Sequence, residues 1–194
     1  SNTISCGVLG FMYEEGKGVT KDLAKAVELY STACNGKELR GCDHLGIMYE
    51  NGEGVTKDLN KAVELYRTAC NGKELLGCAY LGTMYDNGAG VAQDLDKAVE
   101  LYRAACNGKE LRGCNDLGSR YEDGRGVTKD LGKAIELYRA ACDGGDLYGC
   151  YRLGFMYSGG KGVAIDAAKA QELYRRACEG GLEDACTALR QPKT

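Results

Sequence analysis

Cysteine is the residue type whose spacing most clearly indicates chemistry in this sequence. Eleven cysteines occur, and ten of them form pairs separated by eight positions. The pairs are Cys34/Cys42, Cys70/Cys78, Cys106/Cys114, Cys142/Cys150 and Cys178/Cys186, and Cys6 is left over. Thiols that recur in two fixed columns favour oxidation to disulfides, which persist in extracytoplasmic compartments. We therefore predict short disulfide loops, each adding about 2–3 kcal/mol of stability in the chain-entropy model.

Other uses of the cysteines stay open at this point. Zinc needs about four ligands, whereas each pair offers two cysteines and the chain has one histidine, so we expect no metal site. Reduced cysteines would pack as small apolar residues. A shifted pairing, Cys6/Cys34 and Cys42/Cys70 onward, is also permitted and would leave Cys186 alone. With the short loops Cys6 has no partner, so it could form an intermolecular disulfide in a chain that we expect to be monomeric.

Few residues could support nucleophilic catalysis. Ser158 and Lys161 match the S-x-x-K pattern, but they fall in a glycine-rich turn, and the sequence has neither S-D-N nor K-T-G. His44 is the single histidine, so any Ser-His-Asp or Cys-His arrangement would have to use it. Its place directly before an apolar position of a helix predicts an exposed groove residue. We therefore expect no catalytic residue.

Two short motifs could suggest a cofactor. The acidic segments YEEG, YENG, YDNG and YEDG lack the alternating acidic ligands and terminal glutamate of a calcium loop, so we interpret them as solvated turns. The repeated G-x-G lacks the preceding strand and the third glycine of a dinucleotide site. We predict no cofactor.

These residues are all positioned by a repeat of 36 residues that runs through almost the whole chain. Such a period is typical of stacked helical hairpins, in which neighbouring units bury the apolar faces that one hairpin cannot bury alone. We predict a single solenoid domain over 1–190. Its units lie near 5–40, 41–76, 77–112, 113–148 and 149–181, with a final helix at 182–190 and a tail at 191–194.

Each unit contains two helices, which we call helix A and helix B. In helix A the residues Cys42, Leu45, Gly46 and Tyr49 follow i, i+3, i+4, i+7 spacing and share one face. A glycine-rich turn follows, and Asp58 is a suitable N-cap for helix B, which ends near Asn71-Gly72. Gly46 lies inside helix A, where glycine costs about 1 kcal/mol relative to alanine. A close approach between helices is therefore expected there.

The segment 52–78, GxGVxKDxxKAxxLYxxAC followed by GC, closely resembles the Sel-one-like repeat family, relatives of the tetratricopeptide repeats. The resemblance implies an all-α fold, a right-handed αα-superhelix of about five repeats, and adaptor functions in protein complexes. The cysteine pairs resemble the cysteine-rich branch known from secreted Helicobacter proteins, whose disulfides tie consecutive helices across that short turn. Some members of this branch are described as penicillin-binding proteins or weak β-lactamases, which gives the alternative function.

Positions that differ between the units are free of the shared packing role and can encode recognition. On helix A we expect them to line the concave side of the stack. The predicted partner-binding residues are His44, Ile47, Tyr80, Thr83, Asp116, Ser119, Tyr151, Arg152 and Phe155. Tyr80, Tyr148 and Tyr151 occur outside the repeating tyrosine columns, and aromatic residues of this kind are favoured interface anchors. Phe11 shares the column of Phe155, which would also suit packing in the outer units.

The net charge and the hydropathy of the sequence exclude several classes of binding partner. The net charge is −3, and the sequence has no basic stripe, so we expect neither nucleic acid nor an anionic membrane as partner. No apolar run reaches the length of about 18 residues that a membrane-spanning helix needs. The chain begins within the repeat pattern, so we expect any targeting segment to be missing from it. We predict a non-catalytic scaffold, secreted or periplasmic, that binds a protein or an extended peptide.

Overall fold

Eleven α-helices and their connecting turns make up residues 5–190, which are the residues that the computed structural model describes. The helices are α1 (Cys6–Glu15), α2 (Leu23–Asn35), α3 (Leu39–Asn51), α4 (Leu59–Asn71), α5 (Leu75–Asn87), α6 (Leu95–Asn107), α7 (Leu111–Asp123), α8 (Leu131–Gly144), α9 (Leu147–Gly159), α10 (Ala167–Glu179) and α11 (Glu183–Arg190). Odd-numbered helices are the predicted helix A and even-numbered ones, up to α10, the predicted helix B. The predicted all-α repeat fold is confirmed, while the predicted tail 191–194 lies outside the described residues.

The helices group into two compact units, which we call unit one and unit two. Unit one ends at Leu101 and unit two begins at Tyr102, inside α6. In unit one α1 packs on α2, α2 on α3, α3 on α4 and α4 on α5. Helix α3 also contacts α1 and α5. In unit two α7, α8, α9, α10 and α11 pack in the same consecutive manner. Neighbouring hairpins therefore bury one another's apolar faces, as the repeat predicts.

An aspartate side chain caps the N-terminus of every helix B. Asp58 Oδ1 accepts a hydrogen bond from the Lys61 backbone N–H at 3.0 Å, and Asp22, Asp94, Asp130 and Asp166 do the same for the residue three positions on. Such a bond satisfies one of the backbone donors that a helix leaves free at its start. The N-cap predicted at Asp58 is correct.

The left-handed residue in the turn after α4 is not the glycine that directly follows the helix. Helix α4 ends at Asn71, but Gly72 has φ −79° and does not take the left-handed conformation. Lys73 takes it instead, with φ 73°, as do Lys37 and Lys109. A glycine, Gly145, occupies the equivalent position in unit two, where φ is 103°. A non-glycine residue in this region is strained by about 1–2 kcal/mol, so three of these turns are built on strained lysines.

The glycine inside helix A permits a tight contact with helix B. A Cβ atom at Gly46 would lie 2.5 Å from Cε1 of Tyr66, whose side chain is fully buried. The equivalent contact at Gly118 would be 2.8 Å from Cε1 of Tyr138. Since carbon atoms normally meet at about 3.5–4.0 Å, only glycine leaves room for these rings. The predicted close approach at Gly46 is therefore present.

Five disulfides join the end of each helix B to the start of the next helix A. The pairs are Cys34–Cys42, Cys70–Cys78, Cys106–Cys114, Cys142–Cys150 and Cys178–Cys186, with Cα–Cα distances from 4.4 to 4.7 Å. In the first four pairs the residue before the second cysteine is glycine, and a Cβ at Gly41 would lie 2.5 Å from Cβ of Ala33, whereas Ala185 takes this place in the fifth pair. The short-loop pairing is thus the one formed. Cys6 is the free cysteine, half-buried at the start of α1.

Candidate interaction site on the helix-A face

A buried tyrosine on helix B reaches an acidic residue at the end of helix A. The Tyr66 hydroxyl donates to Glu50 Oε2 at 2.7 Å, and the Tyr138 hydroxyl donates to Glu122 Oε2 at 2.8 Å. Tyr30 donates to Glu14 in the same manner. Glu122 itself is buried. The interpretation of the acidic segments as solvated turns is therefore wrong for the first acid of YEEG, YENG and YEDG, because that acid accepts the hydroxyl of the helix-B tyrosine.

Burial and the neighbouring carboxylates keep these hydroxyls protonated. Loss of solvent is the main cause that raises the pKa of Tyr30, Tyr66 and Tyr138 far above the ordinary tyrosine value, and the glutamate acceptors add to it. Tyr85 and Tyr157 on helix A behave in the opposite way. Lys97 and Arg67 beside Tyr85 lower its pKa, as Lys169 and Arg139 do for Tyr157. The repeat therefore contains two chemically distinct kinds of tyrosine.

We define the helix-A face by the helix-A positions equivalent to His44 and Ile47. In unit one these are Val8, Phe11, His44, Ile47, Tyr80 and Thr83, and in unit two Asp116, Ser119, Arg152 and Phe155. Val8 is 54% exposed and Phe11 and Phe155 are each 39% exposed. Large apolar side chains with this exposure can contact a partner.

In unit one the predicted face residues stack on the buried tyrosines. The His44 ring lies parallel to Tyr30, with centroids 4.8 Å apart, and His44 Nδ1 is 3.7 Å from a Glu14 oxygen. Tyr80 stacks on Tyr66 with centroids 5.0 Å apart. A shallow pocket of about 270 Å³ opens beside His44, lined also by Val8 and Phe11.

The other two predicted residues of unit one are half-buried. Ile47 lies one turn after His44, and the Thr83 hydroxyl donates to the carbonyl of Ala79 on its own helix at 3.2 Å. The predicted residues of unit one are therefore brought onto one surface.

In unit two the helix-A face is more strongly charged. An Asp116 oxygen lies 3.7 Å from Arg112 Nε, one turn earlier on α7. Ser119 and Arg152 both lie beside the Tyr138 hydroxyl. Phe155 is covered on one side by Lys161, whose Nζ is 4.4 Å from the ring centroid. The two units therefore present faces of different chemistry, one largely aromatic and apolar and the other rich in paired charges.

Two tyrosines of α9, Tyr148 and Tyr151, do not lie at the positions that define the helix-A face. Tyr151 lies in the column of buried Asp43 and Ala79, and its ring packs against Tyr174 with centroids 5.7 Å apart. Tyr151 is thus half-buried against the core. Tyr148 is 56% exposed and lies one turn before Arg152, at the edge of the helix-A face.

The residues that could support catalysis have separate partners. Ser158 lies in the last turn of α9, where its Oγ accepts from the Tyr174 hydroxyl at 3.4 Å. Lys161 follows the helix, and its Nζ lies 3.4 Å from Glu122 Oε1. His44 is engaged by Tyr30 and Glu14, as described above. Ser158 therefore bonds to a tyrosine, and Lys161 pairs with a glutamate of another helix.

Two features of residues 5–190 bear on metal and membrane binding. In this range no three His, Cys, Asp or Glu side chains gather closely enough to hold a metal ion. None of the helices described there is both long and apolar enough to cross a membrane.

The repeat family follows from the sequence of each hairpin. Five consecutive segments match the Sel1 repeat model, namely residues 5–37, 40–73, 75–109, 111–146 and 147–182. The chain belongs to the Sel1 repeat family. The match covers most of the chain, and each matched segment contains one helix A and one helix B.

Solved structures of Sel1 repeat proteins resemble the chain. A Sel1 repeat protein from Oxalobacter formigenes is 30% identical, with a TM-score of 0.84 over 95% of this chain and 75% of that one. A protective antigen of uropathogenic Escherichia coli is 33% identical, with a TM-score of 0.76, and this chain spans 39% of it. No curated protein matches the chain.

One of these structures is of a protein described as cysteine rich. Cysteine rich protein B of Helicobacter pylori is 33% identical, with a TM-score of 0.53 over 70% of this chain and 97% of that one. The resemblance to the cysteine-rich branch of Sel1 repeat proteins is therefore confirmed. Glu14, Glu50 and Glu122 were missed as functional candidates. The signal for them was the buried tyrosine column, since a buried hydroxyl needs a hydrogen-bond partner.

Proposed function

We propose that this Sel1 repeat protein is a non-catalytic scaffold that binds a protein segment or extended peptide through residues of its helix-A face. The observation that carries the proposal is the contrast between core and face. Tyr30, Tyr66 and Tyr138 repeat in the core, whereas the face residues above them change from His44 to Tyr80 to Arg152. Packing is satisfied by the repeated residues, so the varied ones are available for recognition.

The five disulfides support this role because they hold neighbouring hairpins in a fixed register before a partner binds. A preorganised surface loses less conformational entropy on binding than a mobile one does. The Gly46–Tyr66 contact and the Tyr66–Glu50 hydrogen bond act in the same direction. No such contribution needs a nucleophile or a cofactor.

We also propose an extracytoplasmic location. Five disulfides would be reduced by the thiol buffers of a cytosol unless they were unusually stable. The test is acid quenching of the cells, which traps the thiols in their native state, followed by alkylation of the denatured protein with a maleimide polymer and gel electrophoresis. One modified thiol, Cys6, is expected per chain. A shift corresponding to all of the cysteines would contradict the location.

The binding test uses peptides selected from a random display library on the oxidised protein. Their affinities are then measured by fluorescence anisotropy for Tyr80→Ala and Phe155→Ala. We expect each selected peptide to lose affinity in at least one of these variants. Ile165→Ala is the matched control, because Ile165 is 71% exposed but lies in the turn between α9 and α10. Equal affinities for all three variants and the unmodified chain would refute the assignment of the face.

A further inference from the structure

In unit two a lysine side chain is held next to Phe155 of the helix-A face. Glu122 accepts the Tyr138 hydroxyl through Oε2 at 2.8 Å, and its Oε1 lies 3.4 Å from Lys161 Nζ, which belongs to the following repeat. The same Nζ lies 4.4 Å from the centre of the Phe155 ring. One ammonium group is therefore held by a carboxylate and by an aromatic face together. Both contacts favour a cation, and the ion pair is charge-assisted.

Unit one repeats the carboxylate but not the lysine. Glu14 and Glu50 accept the hydroxyls of Tyr30 and Tyr66, as Glu122 accepts that of Tyr138. Glu122 and Lys161 are 39 positions apart. The same step from Glu14 leads to Glu53, and from Glu50 to Ala89. Two repeats of unit one therefore keep the acid and lose the internal cation.

The remaining contacts of these two acids do not replace the lysine. Glu14 has His44 Nδ1 at 3.7 Å, and Glu50 has the Tyr66 hydroxyl. Between residues 5 and 190, no lysine or arginine forms an ion pair with either carboxylate. Neither carboxylate is therefore neutralised by a lysine or an arginine, which leaves both available to a basic side chain of a partner.

Aromatic rings stand beside both carboxylates. His44 stacks on Tyr30, the tyrosine bound to Glu14, and Tyr80 stacks on Tyr66, the tyrosine bound to Glu50. Each acid thus has a ring pair next to it. The positions equivalent to Phe155 are Ile47 and Thr83, so in unit one the aromatic group beside each acid is the outer ring of a stack, His44 or Tyr80.

We propose that the helix-A face of unit one binds an extended segment of a partner protein through two lysine or arginine side chains, one at Glu14 and one at Glu50. The proposal rests on the scaffold function above and names the chemistry of its partner. The wall of Val8 and Phe11 beside this site would take apolar side chains of the same segment. A basic segment is complementary to a chain of net charge −3.

The spacing of the two cations follows from the packing of the helices. Helices α1 and α3 contact each other, and packed helices lie about 8–10 Å apart. A polyproline II segment rises about 3.1 Å per residue and returns to the same side every three residues, so side chains at i and i+3 are about 9 Å apart. The partner motif is therefore a basic residue, two other residues and a second basic residue.

The experiment uses labelled, end-blocked peptides with four copies of Lys-Pro-Ala, Gln-Pro-Ala or Glu-Pro-Ala, titrated with the oxidised full chain. Binding is followed by fluorescence anisotropy at low and at physiological salt. We expect the lysine peptide to bind at least about tenfold more tightly than the glutamine peptide, with a difference that shrinks as salt rises. Equal binding of the lysine and glutamine peptides would overturn the proposal.

Variants of the chain localise the effect. Glu50→Gln should weaken binding of the lysine peptide by about fivefold or more, since a charged acceptor becomes neutral while its oxygen can still accept from Tyr66. Glu64→Gln, on the exposed side of α4, is the matched control and should change nothing. Ala89→Lys installs the missing internal lysine and should also weaken binding.

The outcomes separate this inference from the scaffold function. Unchanged affinity of the lysine peptide in both Glu50→Gln and Ala89→Lys would overturn the basic-segment proposal. A neutral or acidic peptide whose binding is lost in Tyr80→Ala but kept in Glu50→Gln would do the same, while the scaffold function would stand. Display-selected peptides that ignore every change on the helix-A face would refute the scaffold assignment itself.

Discussion

Replacement of Gly46 by alanine tests whether the glycine column exists to admit the helix-B tyrosine. Alanine normally stabilises a helix interior by about 1 kcal/mol relative to glycine. At Gly46 the new methyl carbon would lie 2.5 Å from Cε1 and 2.9 Å from Cδ1 of Tyr66. The ring would have to move by about 1 Å to restore a normal contact. Its freedom to do so is limited, because the side chain is fully buried and its hydroxyl is bonded to Glu50.

The expected magnitude combines these opposing effects. Overpacking a filled core costs about 1–3 kcal/mol, and weakening a hydrogen bond to a charged group costs up to about 1.5–3 kcal/mol. Subtracting the gain in helix propensity leaves a net loss of about 2 kcal/mol for Gly46→Ala. Gly132→Ala is the matched control, because Gly132 is exposed in the first turn of α8, with Asp130 Oδ1 at 3.3 Å as the nearest atom. It should be neutral or slightly stabilising.

Hydrogen exchange of individual amides is the appropriate assay, since repeat arrays unfold in parts and one global free energy can hide a local change. Protection should fall in α3 and α4 of the Gly46→Ala chain and stay unchanged in α8 and α9. In a Tyr66→Leu background the ring is absent, so Gly46→Ala should become neutral or stabilising. The reasoning is refuted if Gly46→Ala raises protection of α3 and α4 in the unmodified background.

Four further outcomes are expected. The pKa of Tyr66 is raised above the ordinary value of about 10 for an unfolded tyrosine. The protonated Tyr66 hydroxyl therefore contributes its full stabilisation below about pH 10, and this stabilisation declines as the pH rises further. Circular dichroism and the tyrosinate absorbance should change together. Lys73→Gly should stabilise the chain by about 1 kcal/mol in urea denaturation, because glycine tolerates the left-handed turn; destabilisation would contradict the strain. Cys70→Ser combined with Cys78→Ser should lower the free energy of unfolding by about 2.5 kcal/mol in the same assay. An unchanged free energy of unfolding would contradict a stabilising role of this disulfide. A chromogenic cephalosporin should not be hydrolysed, and turnover abolished by Ser158→Ala would revive the β-lactamase alternative.

The fold could be predicted because each residue needed for packing occurs several times in the sequence, once in each repeat. Gly46 inside a helix, Asp58 before helix B and the pair Cys70/Cys78 each recur at 36-residue intervals, so a local rule could be checked against its own copies. In the sequence the small loops favour the short-loop disulfide pairing, while the spacing also permits the shifted pairing. The structure has the short loops, in which the Cα atoms of the paired cysteines are 4.4 to 4.7 Å apart.

The acidic residues of the site could not be predicted in the same way. Glu50 precedes Asn51 and Gly52, and such a sequence is typical of a solvated turn. Its actual environment is set by Tyr66, which comes 16 positions later and reaches back across the hairpin. The stacking of His44 on Tyr30 likewise depends on the register between consecutive repeats. Such contacts are tertiary, and no spacing rule within one helix encodes them.

Lys37, Lys73 and Lys109 each lie exposed between the two cysteines of a bridge. Exposed turns of this kind are the preferred targets of proteases in folded domains. A peptide bond broken after Lys73 would nonetheless leave α4 and α5 covalently attached through sulfur. A trypsin-like cut at any of these three turns therefore leaves the two fragments joined until a reductant is added, so digestion at these turns does not shorten the disulfide-bonded protein.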